Sequence, residues 1–168
     1  MGPARGFTLP ELTVVLFIMG VILSVVLPRF GSMDDEEPLR RAARLMAGLA
    51  LEAHSMSLTQ SRPWYLCLDL DERRCWLSST RPERDGGPGA ESKVRRLPDG
   101  AVFQDAVLAD RGLLKKGVVA LAYWPQGGNE PGTVHLKAER GKEEMTVFFR
   151  PYVGRTEIET GYLREETR

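Results

Sequence analysis

The hydrophobic period of the chain changes twice, and each change marks an element. From Leu12 to Leu27 the residues are apolar or small with no charge among them, so a helix built from them has no polar face. From Leu39 to Leu58, Leu39, Ala42, Ala43, Met46, Leu49, Ala50, Ala53 and Met56 recur at steps of three and four, with Arg40, Arg41, Arg44 and Glu52 on the other side. That spacing predicts an amphipathic helix ending near Ser61-Arg62-Pro63. From Trp64 the period becomes two. Trp64–Leu70 and Cys75–Ser79 alternate on either side of Asp71-Glu72-Arg73-Arg74 and read as a hairpin. Strands are also predicted over Ala101–Leu108, Val118–Trp124, Thr133–Ala138, Met145–Phe149 and Arg155–Thr160, the last pair joined through Pro151-Tyr152-Val153-Gly154. Arg81–Arg96 and Gly112–Gly117 read as loops.

Phe7–Leu27 spans roughly 31 Å as a helix at about 1.5 Å per residue, which matches the hydrocarbon core of a bilayer. A buried core helix is the competing reading. A cleaved secretory signal fits poorly, because Pro28-Arg29-Phe30 follows the run in place of a small-x-small cleavage site. Arg5 before the segment puts the N-terminus in the cytoplasm by the positive-inside rule, with Arg29 opposing it. At 168 residues the chain has room for this stem and one domain.

Charge is balanced, 23 basic against 23 acidic residues, so bulk attraction to nucleic acid or an anionic membrane is not indicated. Asp34-Asp35-Glu36-Glu37 before Pro38 lacks the alternation and the glycine of a calcium loop, and reads as a hinge whose acids complement the start of the next helix. The arginine trio reads as a solvated helix face, and His54 as an edge histidine with no ligand at helical spacing. Cys67 and Cys75 are too few for a disulfide scaffold and lack metal-site spacing. They fall close to opposite one another in the predicted hairpin. A cross-strand disulfide and two packed free thiols both remain open, and register decides, since a one-residue offset turns the side chains to opposite faces. With only His54 and His135, no Gly-x-Ser-x-Gly, no phosphate loop and no metal spacing, an enzyme is the weaker class, and no cofactor or metal is expected.

Glu11 heads the apolar run, and a carboxylate there costs free energy unless it stays wet or finds a cation. Gly6-Phe7-Thr8-Leu9-Pro10-Glu11 followed by the run resembles the class III signal of type IV pilins and type II secretion pseudopilins. The resemblance implies a leader 1–6, cleavage between Gly6 and Phe7 by a prepilin peptidase, and N-methylation of Phe7. Glu11 becomes the fifth mature residue. Pro10 departs from the aliphatic residue common there, which a first helical turn tolerates. In a filament, the Glu11 carboxylate can pair with the new ammonium of a neighbouring subunit, offsetting two charges that are costly alone in an apolar bundle.

Ala50-Leu51-Glu52-Ala53-His54 through Arg62-Pro63 into Trp64-Tyr65-Leu66-Cys67 resembles the helix-to-strand passage of the H-type minor pseudopilins and FimT-type minor pilins. Tyr123-Trp124-Pro125-Gln126-Gly127 and Val153-Gly154-Arg155-Thr156-Glu157-Ile158 resemble their aromatic turn and closing strand. The resemblance implies an α+β, pilin-like fold: a long N-terminal hydrophobic helix with an antiparallel β head packed on its second half. It divides the chain into leader 1–6, transmembrane and filament-core helix 7–30, amphipathic continuation 31–61 and periplasmic head 62–168. The implied role is a minor pseudopilin of type II secretion, anchored by a single pass in the bacterial inner membrane with its N-terminus cytoplasmic. The implied partners are the prepilin peptidase, the major and other minor pseudopilins, the inner-membrane assembly platform, and the lipid bilayer before assembly. The alternatives are a FimT-like minor pilin in pilus assembly or DNA uptake and, more remotely, a membrane-anchored periplasmic enzyme. Nucleic acid is disfavoured as a partner, because Glu157 stands where the DNA-binding members have a second arginine.

Overall fold

The computed structural model describes residues 9–31, 38–83, 86–89, 92–151 and 155–164, the side chains of 22–31 excepted. It divides into two compact units, Met1–Glu36 and Glu37–Arg168. The first unit holds the helix α1, Leu9–Gly31. Pro28 does not end it. The helix runs three residues further, to Gly31. The acidic hinge at 34–37 lies outside the described residues.

The second unit opens with α2, Pro38–Thr59, which starts on a proline as the donor-free first turn of a helix permits. Its buried stripe is Leu39, Ala42, Ala43, Met46, Leu49, Ala50, Ala53 and Ser57. This is the predicted face with one change. Ser57 rather than Met56 takes the last buried position, and its hydroxyl donates to the His54 carbonyl at 2.7 Å. Among the described residues nine strands follow: β1 Trp64–Asp69, β2 Arg74–Ser78, β3 Arg95–Arg96, β4 Ala101–Leu108, β5 Gly112–Leu114, β6 Val118–Tyr123, β7 Gly132–Ala138, β8 Glu144–Phe149 and β9 Thr156–Thr160. They form two antiparallel sheets, ordered β3-β2-β1-β6 and β5-β4-β7-β8-β9. β3 and β5 fall inside the stretches expected to be loops. They are two and three residues long, and each exists because a longer neighbour offers it an edge.

The stripe of α2 packs with inward residues of both sheets, Leu66, Leu68 and Leu121 from the first and Phe103, Val134, Leu136 and Val147 from the second, in one core. The first hairpin is locked by Asp69, whose carboxylate accepts from the Asp71 and Glu72 amides at 3.2 and 3.0 Å and from Arg74 at 2.8 Å. β4 carries a bulge between Phe103 and Asp105. Up to Phe103 the odd residues Ala101 and Phe103 face the core. After Gln104 the even residues Ala106 and Leu108 do so. The extra residue therefore turns Asp105 to the outer face, opposite His135.

The register β1–β2 pairs Cys67 with Trp76 and Leu68 with Cys75. The expected opposition of the two cysteines fails by one residue, and Cys67 and Cys75 point to opposite faces as free, buried thiols. Cys75 joins the main core, and Cys67 joins a smaller cluster with Trp76, Val118 and Ala120. Of the two readings left open, the parity of the pleat supports two packed thiols.

β7 begins on Gly132 where two leucines crowd it. A Cβ there would lie 2.6 Å from Leu121 Cδ2 and 3.1 Å from Leu108 Cδ2. Both leucines are fully buried and have nowhere to retreat. Gly132→Ala is expected to destabilise the head by about 1–3 kcal/mol, seen as a lower urea midpoint with an unchanged slope. An unaltered midpoint would show that the core yields at this point.

Candidate functional site

Two places in the chain combine unusual exposure or burial with chemistry. The first is the stem. Along α1 the described side chains Leu9–Val21 are all exposed, Leu9 at 81% and Phe17 at 73%, on every side of the helix. So large an exposed apolar surface requires lipid or protein around it. Glu11 lies in the first turn and is exposed, where a carboxylate complements the positive end of the helix dipole. Thr13 returns its hydroxyl to the Leu9 carbonyl at 3.0 Å, so it spends no polar group on the surroundings. Gly6 and Phe7 lie outside the described residues. Among the described residues no helix is long and apolar enough to cross a membrane.

The second place is the outer face of the larger sheet. His135 and Asp105, 1% and 4% exposed at their side chains, approach at 2.6 Å through Nδ1 and Oδ1. The other ring nitrogen, Nε2, is 2.8 Å from the Leu163 carbonyl. Tyr162 stacks on the imidazole, 3.9 Å between centroids, and its phenol donates to the second Asp105 oxygen at 3.3 Å. Periodicity gave no warning of this pair. Asp105 and His135 sit in separate apolar strands, and only the bulge at Gln104 aligns them. A buried aspartate–histidine pair invites comparison with a catalytic dyad. Here both ring nitrogens are occupied, so the ring has no free lone pair to act as base toward a substrate.

The remaining sequence-derived candidates stay apart. His54 packs edge-on against Tyr123, with centroids 6.5 Å apart and a hidden, unpartnered Nδ1. An open cleft of about 770 Å³ beside α2 is floored by Leu49, Met56 and Trp64 and carries Glu52, Arg62 and Lys93. No group of three potential metal ligands occurs among the described residues.

Residues 1–27 match the prokaryotic N-terminal methylation motif. Two solved structures of the minor pseudopilin EpsH from the type 2 secretion system of Vibrio cholerae share the architecture. One has a TM-score of 0.55 at 14% identity, over 73% of this chain and 95% of that one. The other has a TM-score of 0.51 at 15% identity, over 73% and 94%. The head has a minor pseudopilin fold. No curated protein sequence matches the chain. The chain thus joins a pilin-like processing motif to a pseudopilin-like head, and at these identities the structural likeness speaks for fold alone.

The two thiols of the pseudopilin-like head titrate far from their usual range. Burial pushes Cys67 up to about 12. Burial, with the Asp69 carboxylate and Cys67 adding to it, pushes Cys75 up to about 12. Unfolded thiols ionise near their ordinary value of about 8.5. Between those values the folded state binds more protons than the unfolded one, so stability is full below the unfolded value and falls as pH rises toward the folded one. Two thiols per chain are expected to react with a disulfide reagent, and only after unfolding. Cys67→Ala and Cys75→Ala should flatten the alkaline loss of stability, read from urea midpoints on either side of about pH 9. Fewer than two reactive thiols in denaturant, without reductant, would restore the disulfide.

Proposed function

We propose that the chain is an H-type minor pseudopilin, a structural subunit of a type II secretion pseudopilus. What carries this reading is the union in one chain of an N-terminal methylation motif with a head of the EpsH fold. In this reading Met1–Gly6 is a leader, a prepilin peptidase cuts between Gly6 and Phe7, and Phe7 is methylated. The stem then anchors the chain in the inner membrane with the head in the periplasm. Supporting this, the sequence run Phe7–Leu27 would span roughly 31 Å as a helix, against a hydrocarbon core of about 30 Å.

Assembly exchanges lipid for other stems around the same side chains. Because lipid is as apolar as leucine, that exchange by itself gains little, and close packing and polar pairing supply the specificity. Glu11 is placed for this role. One turn into the helix, its carboxylate meets the cleaved ammonium of a neighbouring stem in one register only, and each charge alone would be costly in the bundle. The partners are the peptidase, the major and other minor pseudopilins and the assembly platform. The secretion reading is preferred to a FimT-like pilus subunit because the solved relatives are secretion pseudopilins and the closing strand carries Glu157 in place of a second arginine.

Mass spectrometry of the membrane-purified chain should find a mature N-terminus at Phe7 carrying one methyl group. Glu11→Ala should leave that processing intact yet lower incorporation into filaments by more than about tenfold. Normal incorporation of Glu11→Ala would remove the pairing role. Deletion of the chain should abolish secretion across the outer membrane; intact secretion with lost pilus function or DNA uptake would transfer the chain to the pilus system.

A further inference from the structure

The outer face of the larger sheet carries one row of polar side chains across four strands. Asp105, His135, Thr146 and Glu159 stand opposite one another on β4, β7, β8 and β9. Over this row lies a strap, Gly161–Leu163, which follows β9. Apolar burial does not hold it, since Leu163 is 42% exposed and Gly161 and Tyr162 are only half-buried. Its attachments are polar. Thr146 Oγ1 donates to the Gly161 carbonyl at 2.6 Å and accepts from the Leu163 amide at 3.0 Å. The Gly161 amide donates to the Glu144 carbonyl at 2.7 Å. His135 and Asp105 supply the rest, through the Leu163 carbonyl and the Tyr162 phenol.

We propose that Asp105 and His135 form a proton-linked latch, which holds this strap closed while the pair shares a proton and frees it when that proton leaves. The imidazole lies between two oxygens, a carboxylate at Nδ1 and a backbone carbonyl at Nε2, and the carbonyl can only accept. Both contacts are satisfied when the ring donates from both nitrogens, or when Asp105 holds the proton and donates to Nδ1. Either way one proton must lie between Nδ1 and Oδ1 while another sits on Nε2. A neutral ring facing an ionised Asp105 can keep the carboxylate or the strap, not both, and the abandoned contact sets two lone pairs against each other. The latch therefore closes at the lower pH and opens as pH rises.

Among the described residues the groups facing the ring are few. Asp105 and the Tyr162 phenol touch it or its partner, and Glu159 stands two strands away in the same row. Lys137 and Glu144 pair in the adjoining row, and Glu157 lies in the row on the other side. Arg164 sits over the Tyr162 ring at 6.0 Å. β5 brings only Gly112, Leu113 and Leu114. A cavity of about 360 Å³, bounded by Val107, Leu113, Thr133 and Arg164, reaches both His135 and Tyr162. It gives the proton a way out and the tyrosine room to leave its stack.

The test uses the full chain in detergent micelles, reading the His135 ring nitrogens by NMR and the exchange protection of the Leu163 amide, corrected for intrinsic chemistry, from about pH 5 to about pH 9. In the wild type, protection should fall by more than about tenfold as the ring loses its proton. Asp105→Asn should keep the strap closed with a neutral ring, because the amide can donate to Nδ1 while Nε2–H holds Leu163, so its protection should stay high and flat. His135→Ala should be open at every pH. Wild-type protection that is constant across the window, or a pH dependence that survives in Asp105→Asn, overturns the latch. Those two comparisons stand even if His135→Ala does not fold, and they do not depend on which filament takes up the chain.

Discussion

The head depends on one narrow contact, the stripe of small and apolar residues along α2. Among the described residues of the second unit, one helix faces two sheets across the core. Ala42, Ala43, Ala50 and Ala53 let the strands approach the helix backbone, while Leu39, Met46 and Leu49 fill the space between. Packing at such density tolerates little change in volume. The constraint passes outward from there. Gly132 is bare because Leu121 and Leu108 already occupy the place where its side chain would be. The bulge at Gln104 lets β4 keep apolar residues inward on both sides of Asp105. Without the inserted residue, β4 would bring Asp105 inward and bury an unpaired carboxylate.

The long elements were legible in the chain because each carries its own period. The amphipathic helix and seven of the nine strands follow directly from spacing, to within a residue or two at their ends. What was not legible depends on pairing. β3 and β5 have no pattern of their own, being short edges recruited by β2 and β4. The offset that separates Cys67 from Cys75 is a property of register. The meeting of Asp105 with His135 needs a bulge and a partner strand some thirty residues away, as their separation in the chain indicates. The stem was legible in another sense. Gly6, Phe7 and Glu11 resemble a processing signal, and the methylation motif covers them, while Gly6 and Phe7 lie outside the described residues.

Stem and head obey different physics. The head hides its apolar side chains against one another. The stem presents its own outward on all sides and awaits another molecule. In the first unit the chain carries a surface that makes sense only in company, and in the second it carries a fold that closes on itself. A buried aspartate–histidine pair serves the second unit as an attachment for Gly161–Leu163, a polar fastening in place of an apolar one.

The opposed cysteines have a consequence for delivery. A folded protein with two reachable thiols depends on the oxidation state of its surroundings, because such thiols can be oxidised or captured by the wrong partner. Here each thiol is sealed on its own side of the same strand pair, and neither is ionised at neutral pH. Once folded, the head therefore keeps both thiols out of reach of oxidants and of disulfide partners, whichever way its surroundings are poised.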